Sequence, residues 1–258
     1  MARTSKSNAA ARYTTPALEK GLDILELFAS TPEELSKREV ARRLGRTVSE
    51  IFRMLVCLEQ RGYIAQAAGE DRLRFTLKLF KLAQEHPPVK RLVAKALPVM
   101  QDLAHKISQS CHLGVLDGGK ITILAQVDSP ASTGFYVKAG SSVDLMEAAT
   151  GHVILAHQRP ETCSRAVSEW QRETRRRVPS DLEKHLEKIR KQGFEERASY
   201  QVNGVINISN PIFDDQHMAI AGLTVPFLKR LKDPTTAKDV RHHLQSAALE
   251  ISRELGGG

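Results

Sequence analysis

Two capping boxes stand close together in the first third of this 258-residue chain, and they leave little freedom for what can fold there. In Ser36-Lys37-Arg38-Glu39 the serine hydroxyl can accept from an amide at a helix start while the glutamate reaches back to the serine N–H. Thr47-Val48-Ser49-Glu50 offers the same pair of groups. Leu44-Gly45 lies between them, so the first of these helices is short and ends at a glycine. The second carries Ile51, Leu55 and Leu58 on one face and stops at Arg61-Gly62. Upstream, Thr15-Pro16 reads as a cap with proline at the first helical position, and Leu18, Leu22, Leu25 and Phe28 recur at helical spacing to about Ala29. Two short capped helices about a glycine turn define a helix-turn-helix, with the helix that starts at Thr47 placed to enter a DNA major groove.

After Gly62, residues 63–66 read as a strand, 69–71 as a turn and 72–75 as a half-exposed strand, which together make a wing. The expected DNA-binding domain therefore spans residues 15–76. Residues 77–88 read as a linker helix ending in the stiff His86-Pro87-Pro88 break, and residues 89–258 as a second domain. In that domain the patterns predict helices over 89–108, 148–157, 161–170, 181–192 and 236–255. They predict strands over 112–116, 121–125, 135–138, 205–209 and 219–225. Strands and helices mix without strict alternation, so the expected fold class is α+β with a mainly antiparallel sheet.

Charge is compatible with a nucleic-acid partner without demanding one: the net charge is +8, with 38 basic and 30 acidic residues. Up to Glu85 there are 15 basic and 11 acidic residues, leaving 23 and 19 for the rest, so charge density is about twice as high in the first part. Cys57, Cys111 and Cys163 are widely spaced and odd in number, as expected for reduced thiols in a cytoplasmic protein. Residues 1–14 are polar, lack the apolar core of a secretory signal, and read as a disordered arm with Arg3, Lys6 and Arg12 available to phosphates. The longest nearly apolar run, residues 218–228, is too short to span a bilayer. No HExxH, GxSxG, P-loop or dinucleotide-binding glycine pattern occurs, so an enzyme is not expected, nor a cofactor. His152 and His157 are off the spacing for two metal ligands on one helix face, and His242-His243 reads as helix surface, so no metal site is expected either.

The chain resembles the IclR-type transcriptional regulators along nearly its whole length. The N-terminal likeness lies in Leu18-Glu19-Lys20-Gly21-Leu22-Asp23-Ile24-Leu25, Val40-Ala41-Arg42-Arg43-Leu44-Gly45 and Leu58-Glu59-Gln60-Arg61-Gly62-Tyr63-Ile64. The more specific second set is His112-Leu113-Gly114-Val115-Leu116-Asp117-Gly118-Gly119, Ala149-Thr150-Gly151, Gly204-Val205 and Asn210-Pro211-Ile212-Phe213-Asp214. The resemblance implies a winged helix-turn-helix, a linker helix and a GAF-like effector-binding domain. It also implies a homodimer or dimer of dimers on double-stranded operator DNA, controlled by a small-molecule effector, with repression the default sign.

With Ile51, Leu55 and Leu58 turned inward, Ser49, Glu50, Phe52 and Arg53 face outward near the start of the reading helix. Arg53 can donate twice to guanine or pair with phosphate. Glu50 can accept from cytosine, but its capping role competes. Phe52, where relatives commonly carry a polar residue, can meet thymine methyls or pack on the first helix. Lys37, Arg38, Arg42, Arg46, Arg72 and Arg74 are candidate phosphate contacts, each with the alternative of being a solvated surface charge. A winged helix that binds a protein instead is the rival reading, and the basic wing argues against it. In the second domain the family pattern implies a pocket at Phe135, Val143, Ala149, Thr150, Arg197, Val205, Asn207 and Thr224. Asn207 stands where many relatives carry cysteine, and Arg197 where an acidic residue is frequent. A guanidinium facing the pocket would suit an organic or aromatic acid, the alternative being a surface ion pair with neighbouring glutamates. Val143 and Val205 also suit a plain core. His112 and His152 can donate to a ligand, although a satisfied structural histidine is the preferred reading of both.

Overall fold

The computed structural model describes residues 15–67, 71–85, 87–231 and 233–257. The expected N-terminal arm and most of the wing turn lie outside the described residues. The chain divides into two units after His86.

In the first unit, proline begins α1 (Pro16–Ser30) at no loss of a hydrogen bond, since the first amides of a helix have no carbonyl one turn back. Thr15 makes no side-chain cap there; its carbonyl accepts from Glu19 N–H at 3.0 Å. The first capping box forms and starts α2 (Lys37–Arg43): Glu39 Oε2 accepts from Ser36 N–H at 2.8 Å, and Glu39 N–H donates to Ser36 Oγ at 3.3 Å. Gly45, at φ +63°, reverses the chain in a conformation that a side chain would strain. Glu50 Oε2 then accepts from both the N–H and the hydroxyl of Thr47, each at 2.8 Å, at the start of α3 (Val48–Gln60). The backbone hydrogen bond from Ser36 holds the Glu39 carboxyl below its ordinary range, and that from Thr47 does the same for Glu50. Ile24, Phe28, Leu35, Val40, Ile51, Leu55, Ile64 and Leu73 close one core between the helices and the wing.

The wing has a strand that the pattern does not predict. β1 (Leu35–Ser36) pairs with β3 (Arg72–Phe75), which pairs in turn with β2 (Ile64–Gln66), all antiparallel. Two residues are too few to show alternation, and β1 exists because Leu35 lies opposite Leu73 in the core. α4 (Lys78–Glu85) completes the unit.

The second unit opens with α5 (Pro87–Ile107), whose first turn contains the Pro87-Pro88 pair expected to be a break. Its sheet has the order β6-β5-β4-β9-β8-β7, wholly antiparallel. The strands are β4 (Cys111–Asp117), β5 (Lys120–Val127), β6 (Ser142–Asp144), β7 (Glu195–Ala198), β8 (Val205–Phe213) and β9 (Ala219–Leu228). The strand expected over 135–138 is not one. The segment that reaches β5 is instead residues 140–144, pairing Val143 with Ile121.

The sheet separates two helical layers. α5 and α9 (Ala237–Leu255) pack with Leu113, Leu223 and Val225 on one face. On the other lie α6 (Ala149–Ala156), α7 (Pro160–Thr174) and α8 (Leu182–Gln192), around Trp170, Val153 and Ile189. α6 is buried along its whole length. Its seat is the cross-strand pair Gly114 and Gly222. A β-carbon on Gly114 would fall 2.7 Å from Ile121 Cγ2, and one on Gly222 would fall 2.8 Å from Thr150 Cγ2. Among the described residues no helix is long and apolar enough to cross a membrane.

Candidate functional site

α3 buries Ile51, Leu55 and Leu58, which turns Ser49, Arg53 and Gln60 to the opposite face. All three are exposed. Phe52, on the flank, is 46% exposed and so is not enclosed by the core. Thr47 and Glu50 are exposed but bonded to each other, and Lys20 Nζ lies 3.9 Å from Glu50 Oε1. The remaining basic candidates divide. Arg46 Nη2 donates to Asp23 Oδ2 at 2.7 Å, which ties the turn to α1. Arg72 Nη1 donates to Glu34 O at 2.9 Å and lies 3.5 Å from Glu39 Oε2, so it braces the wing against the start of α2. Lys37 Nζ is 3.2 Å from Asp71 Oδ1. Arg38, Arg42 and Arg74 are exposed.

The same unit carries apolar surface that it does not cover. Leu18 on α1 is 60% exposed, and with Leu22, Leu25, Met54 and Cys57 it lines an open groove between α1 and α3 of about 480 Å³, with Arg53 at its margin. On α4, Leu79, Phe80 and Leu82 are all exposed.

In the second unit six of the eight pocket candidates meet. Phe135, Val143, Ala149, Thr150, Asn207 and Thr224 line one cleft at the N-terminus of α6. The cleft measures about 20 Å³, room for one water molecule, against the roughly 300–1,000 Å³ of a preformed ligand pocket. Its floor is polar: Thr150 Oγ1 and Thr224 Oγ1 are 2.7 Å apart, and the Thr224 hydroxyl donates to Ser209 Oγ at 2.8 Å. Beside them is His112, the cross-strand neighbour of Thr224. It is not a satisfied histidine: its buried Nδ1 has no hydrogen-bond partner among the described residues. Burial pushes its pKa down to about 4, so the ring is neutral near pH 7. Ser199, Tyr200 and Gln201 form the outer wall, and the Tyr200 phenol accepts from Asp144 N–H at 3.3 Å, joining that loop to the turn before α6. The sequence offers His112 as a ligand donor but not its unpaired nitrogen, and nothing in it marks the 199–201 loop, because the surroundings of both come from distant segments.

Two candidates lie elsewhere. Val205 is buried at the start of β8 and does not line the cleft. Arg197 sits directly opposite Asn207 in the strand pair, but its Nη1 donates to Met146 O at 3.2 Å and lies 3.0 Å from His152 Nδ1. Its guanidinium therefore faces a histidine rather than the cleft, and its ion pair is with Glu147, Nη2 to Oε2 at 3.9 Å, while the adjacent Glu196 pairs with Arg241 at 3.3 Å.

A winged helix-turn-helix with an arginine on the outward face of its reading helix, followed by an α+β domain with a polar-floored cleft, defines a DNA-binding transcriptional regulator. Comparison with known proteins agrees. Residues 17–68 match the IclR helix-turn-helix domain, and residues 89–253 match the C-terminal domain of the bacterial transcriptional regulator IclR. The chain belongs to the IclR family. It is 28% identical over 227 residues to the HTH-type transcriptional regulator KdgR of Escherichia coli, covering 86% of each chain. To KdgR of Dickeya chrysanthemi it is 30% identical over 233 residues, covering 86% of this chain and 74% of the relative. Among solved structures it is similar to the IclR of Thermotoga maritima, with 25% identity, a TM-score of 0.69, and 93% and 98% of the two chains covered. An IclR homologue of Microbacterium hydrocarbonoxydans complexed with 4-hydroxybenzoate shares the fold at a TM-score of 0.73 and 20% identity, covering 93% and 98%. The relatives are transcriptional regulators, not enzymes.

Proposed function

We propose that this regulator is a repressor that holds a palindromic operator as a homodimer and releases it when a small organic acid enters the cleft at the start of α6. The observation that carries the effector reading is His112, a buried neutral imidazole with an unpartnered nitrogen beside two linked threonine hydroxyls. Leaving such a group unpaired costs about 1–3 kcal/mol, which a ligand donor or acceptor would recover. The charge complement for a carboxylate comes from the first N–H groups of α6, where the helix dipole favours an anion, and not from Arg197. Because the cleft is nearly closed, the Phe135 and Tyr200 loops must part to admit a ligand. That movement is the event through which occupancy alters the protein.

On the DNA side, Arg53 reads base edges with Ser49 and Phe52 beside it, while Arg38, Arg42 and Arg74 contact phosphate. Arg46, Lys37 and Arg72 hold the reading helix and wing in place and touch phosphate secondarily. Glu50 caps. The exposed leucines of α1 and the Phe80 face of α4 meet a second copy, since apolar surface of this kind on a soluble domain marks an interface. Blocking a promoter asks only for occupancy, whereas activation also asks for a polymerase contact, and repression is the sign we assign.

Calorimetry with a panel of aliphatic and aromatic carboxylates that includes 4-hydroxybenzoate tests the effector. Binding is expected for at least one acid and is expected to weaken when Thr150 is replaced by Val. No binding by any acid of the panel, or binding that Thr150→Val leaves unchanged, would overturn the reading. Deleting the gene should raise expression of a reporter on its promoter; a fall would make the protein an activator.

A further inference from the structure

Away from the cleft, three metal-ligating side chains from three different elements converge. His152 projects from α6, His185 from α8 and Glu195 from β7, and one ligand atom from each lies within 4.8 Å of the others. Glu195 Oε1 is 3.1 Å from His185 Nε2 and 3.8 Å from His152 Nδ1. Two of the three separations bracket the roughly 3.3 Å between ligand atoms in a tetrahedral shell with bonds of about 2.0–2.1 Å, and the two histidine nitrogens lie within 4.8 Å of each other. The two imidazole rings stand edge to face with centroids 4.9 Å apart. The side chains of His152 and Glu195 are buried, while that of His185 is 34% exposed and opens on a cleft lined by Trp170, Asp181 and Leu182.

Arg197 adds a second and independent observation. Its Nη1 lies 3.0 Å from His152 Nδ1 and 3.4 Å from His152 Nε2, so the guanidinium stands against the imidazole that would hold an ion. A cation thus already stands beside this ligand, and its other nitrogen is 3.9 Å from Glu147 Oε2, a partner that can hold it when an ion displaces it.

We propose that His152, His185 and Glu195 form a binding site for a divalent transition metal of the zinc class, which competes with the Arg197 guanidinium for the same ligands. Two imidazoles and one carboxylate select a borderline cation such as zinc or cobalt over calcium or magnesium, which prefer all-oxygen shells. A solvent molecule from the adjoining cleft completes the fourth position. The ion ties α8 and β7 to α6. It also frees Arg197 from Met146 O, a contact that precedes the first turn of α6, so metal and effector act on the same helix.

The test uses the full-length protein with cobalt(II), whose visible absorption reports four-coordinate binding, and zinc titration by calorimetry. One zinc per chain and an intense cobalt band are expected. His185→Ala removes a partly exposed ligand and should weaken zinc by more than the roughly 10–100-fold that loss of a supporting partner costs. Arg197→Met should tighten zinc binding, a gain that a damaged fold would not give. Replacing both His242 and His243 by Ala should change nothing. No cobalt band in the native protein, a band that survives in both His185→Ala and Glu195→Gln, or an Arg197→Met variant that binds no more tightly would each overturn the proposal.

Discussion

Arg46 and Arg53 belong to the same basic stretch, and the fold gives them opposite tasks. Arg46 turns back to Asp23 and holds α1 against the turn, whereas Arg53 stands on the face of α3 opposite its buried leucines. Arg53→Ala should lower operator affinity by about 1–3 kcal/mol, roughly 5- to 150-fold, while leaving affinity for unrelated DNA nearly unchanged. Fluorescence anisotropy on operator and scrambled fragments checks this, and a uniform loss on both would make Arg53 a phosphate contact. His112 makes a prediction of another kind. Its pKa is about 4 in the folded chain against an ordinary 6.5, so below pH 6.5 the unfolded chain takes up a proton that the folded chain refuses. The stability in question is fully present above pH 6.5 and is lost as pH falls toward 4, up to on the order of 3 kcal/mol. Burial shifts His157 in the same direction. Urea unfolding across that range should show the decline, and His112→Leu should flatten much of it. Neither the Arg46 pairing nor the His112 environment is legible in the sequence, because both depend on partners more than twenty positions away. Arg197 shows where the limit falls: the family likeness puts it at the pocket and its backbone does pair with Asn207, but a long side chain can leave its strand neighbour for a histidine on α6.

At the scale of elements, local chemistry was readable and pairing was not. The capping boxes at Ser36 and Thr47 announce their helices because all the participating groups lie within four residues. Ser36→Ala should destabilise the first unit by about 1 kcal/mol, measured by thermal unfolding, with α2 fraying at its start. An unchanged midpoint would mean that the Leu35–Leu73 pairing alone fixes the helix. Strands behaved differently. The segment over 135–138 alternates as a strand should, yet the edge of β5 is taken by residues 140–144. β7 reads as charged surface, Glu195-Glu196-Arg197, and becomes a strand only by pairing with β8. A strand is confirmed by its neighbour, and neighbours are what a single sequence withholds. Six of the residues that the family likeness implies do come together in one cleft, half of its lining. Its closure was not foreseen, because the Tyr200 loop approaches it from a distant part of the chain.

For the whole molecule, the two units place the proposed operator contacts and the proposed effector cleft in separate parts of one chain. The uncovered leucines of α1 and the Phe80 face of α4 are the proposed means of doubling the reading helix. Leu18→Asp combined with Phe80→Asp should convert the proposed dimer to monomer in light scattering and sharply reduce affinity for a two-half-site operator. It should leave the helical circular dichroism intact. A double variant that remained dimeric would move the interface to the second unit. The account then rests on a link between cleft and operator. That link is measured most directly by titrating operator binding with and without the tightest carboxylate from the panel, in the native protein and in Val143→Phe, which fills the cleft from its edge strand. The account predicts that the acid loosens the native complex at least tenfold and leaves the Val143→Phe complex unmoved. An acid that loosens both equally, or neither, would contradict it.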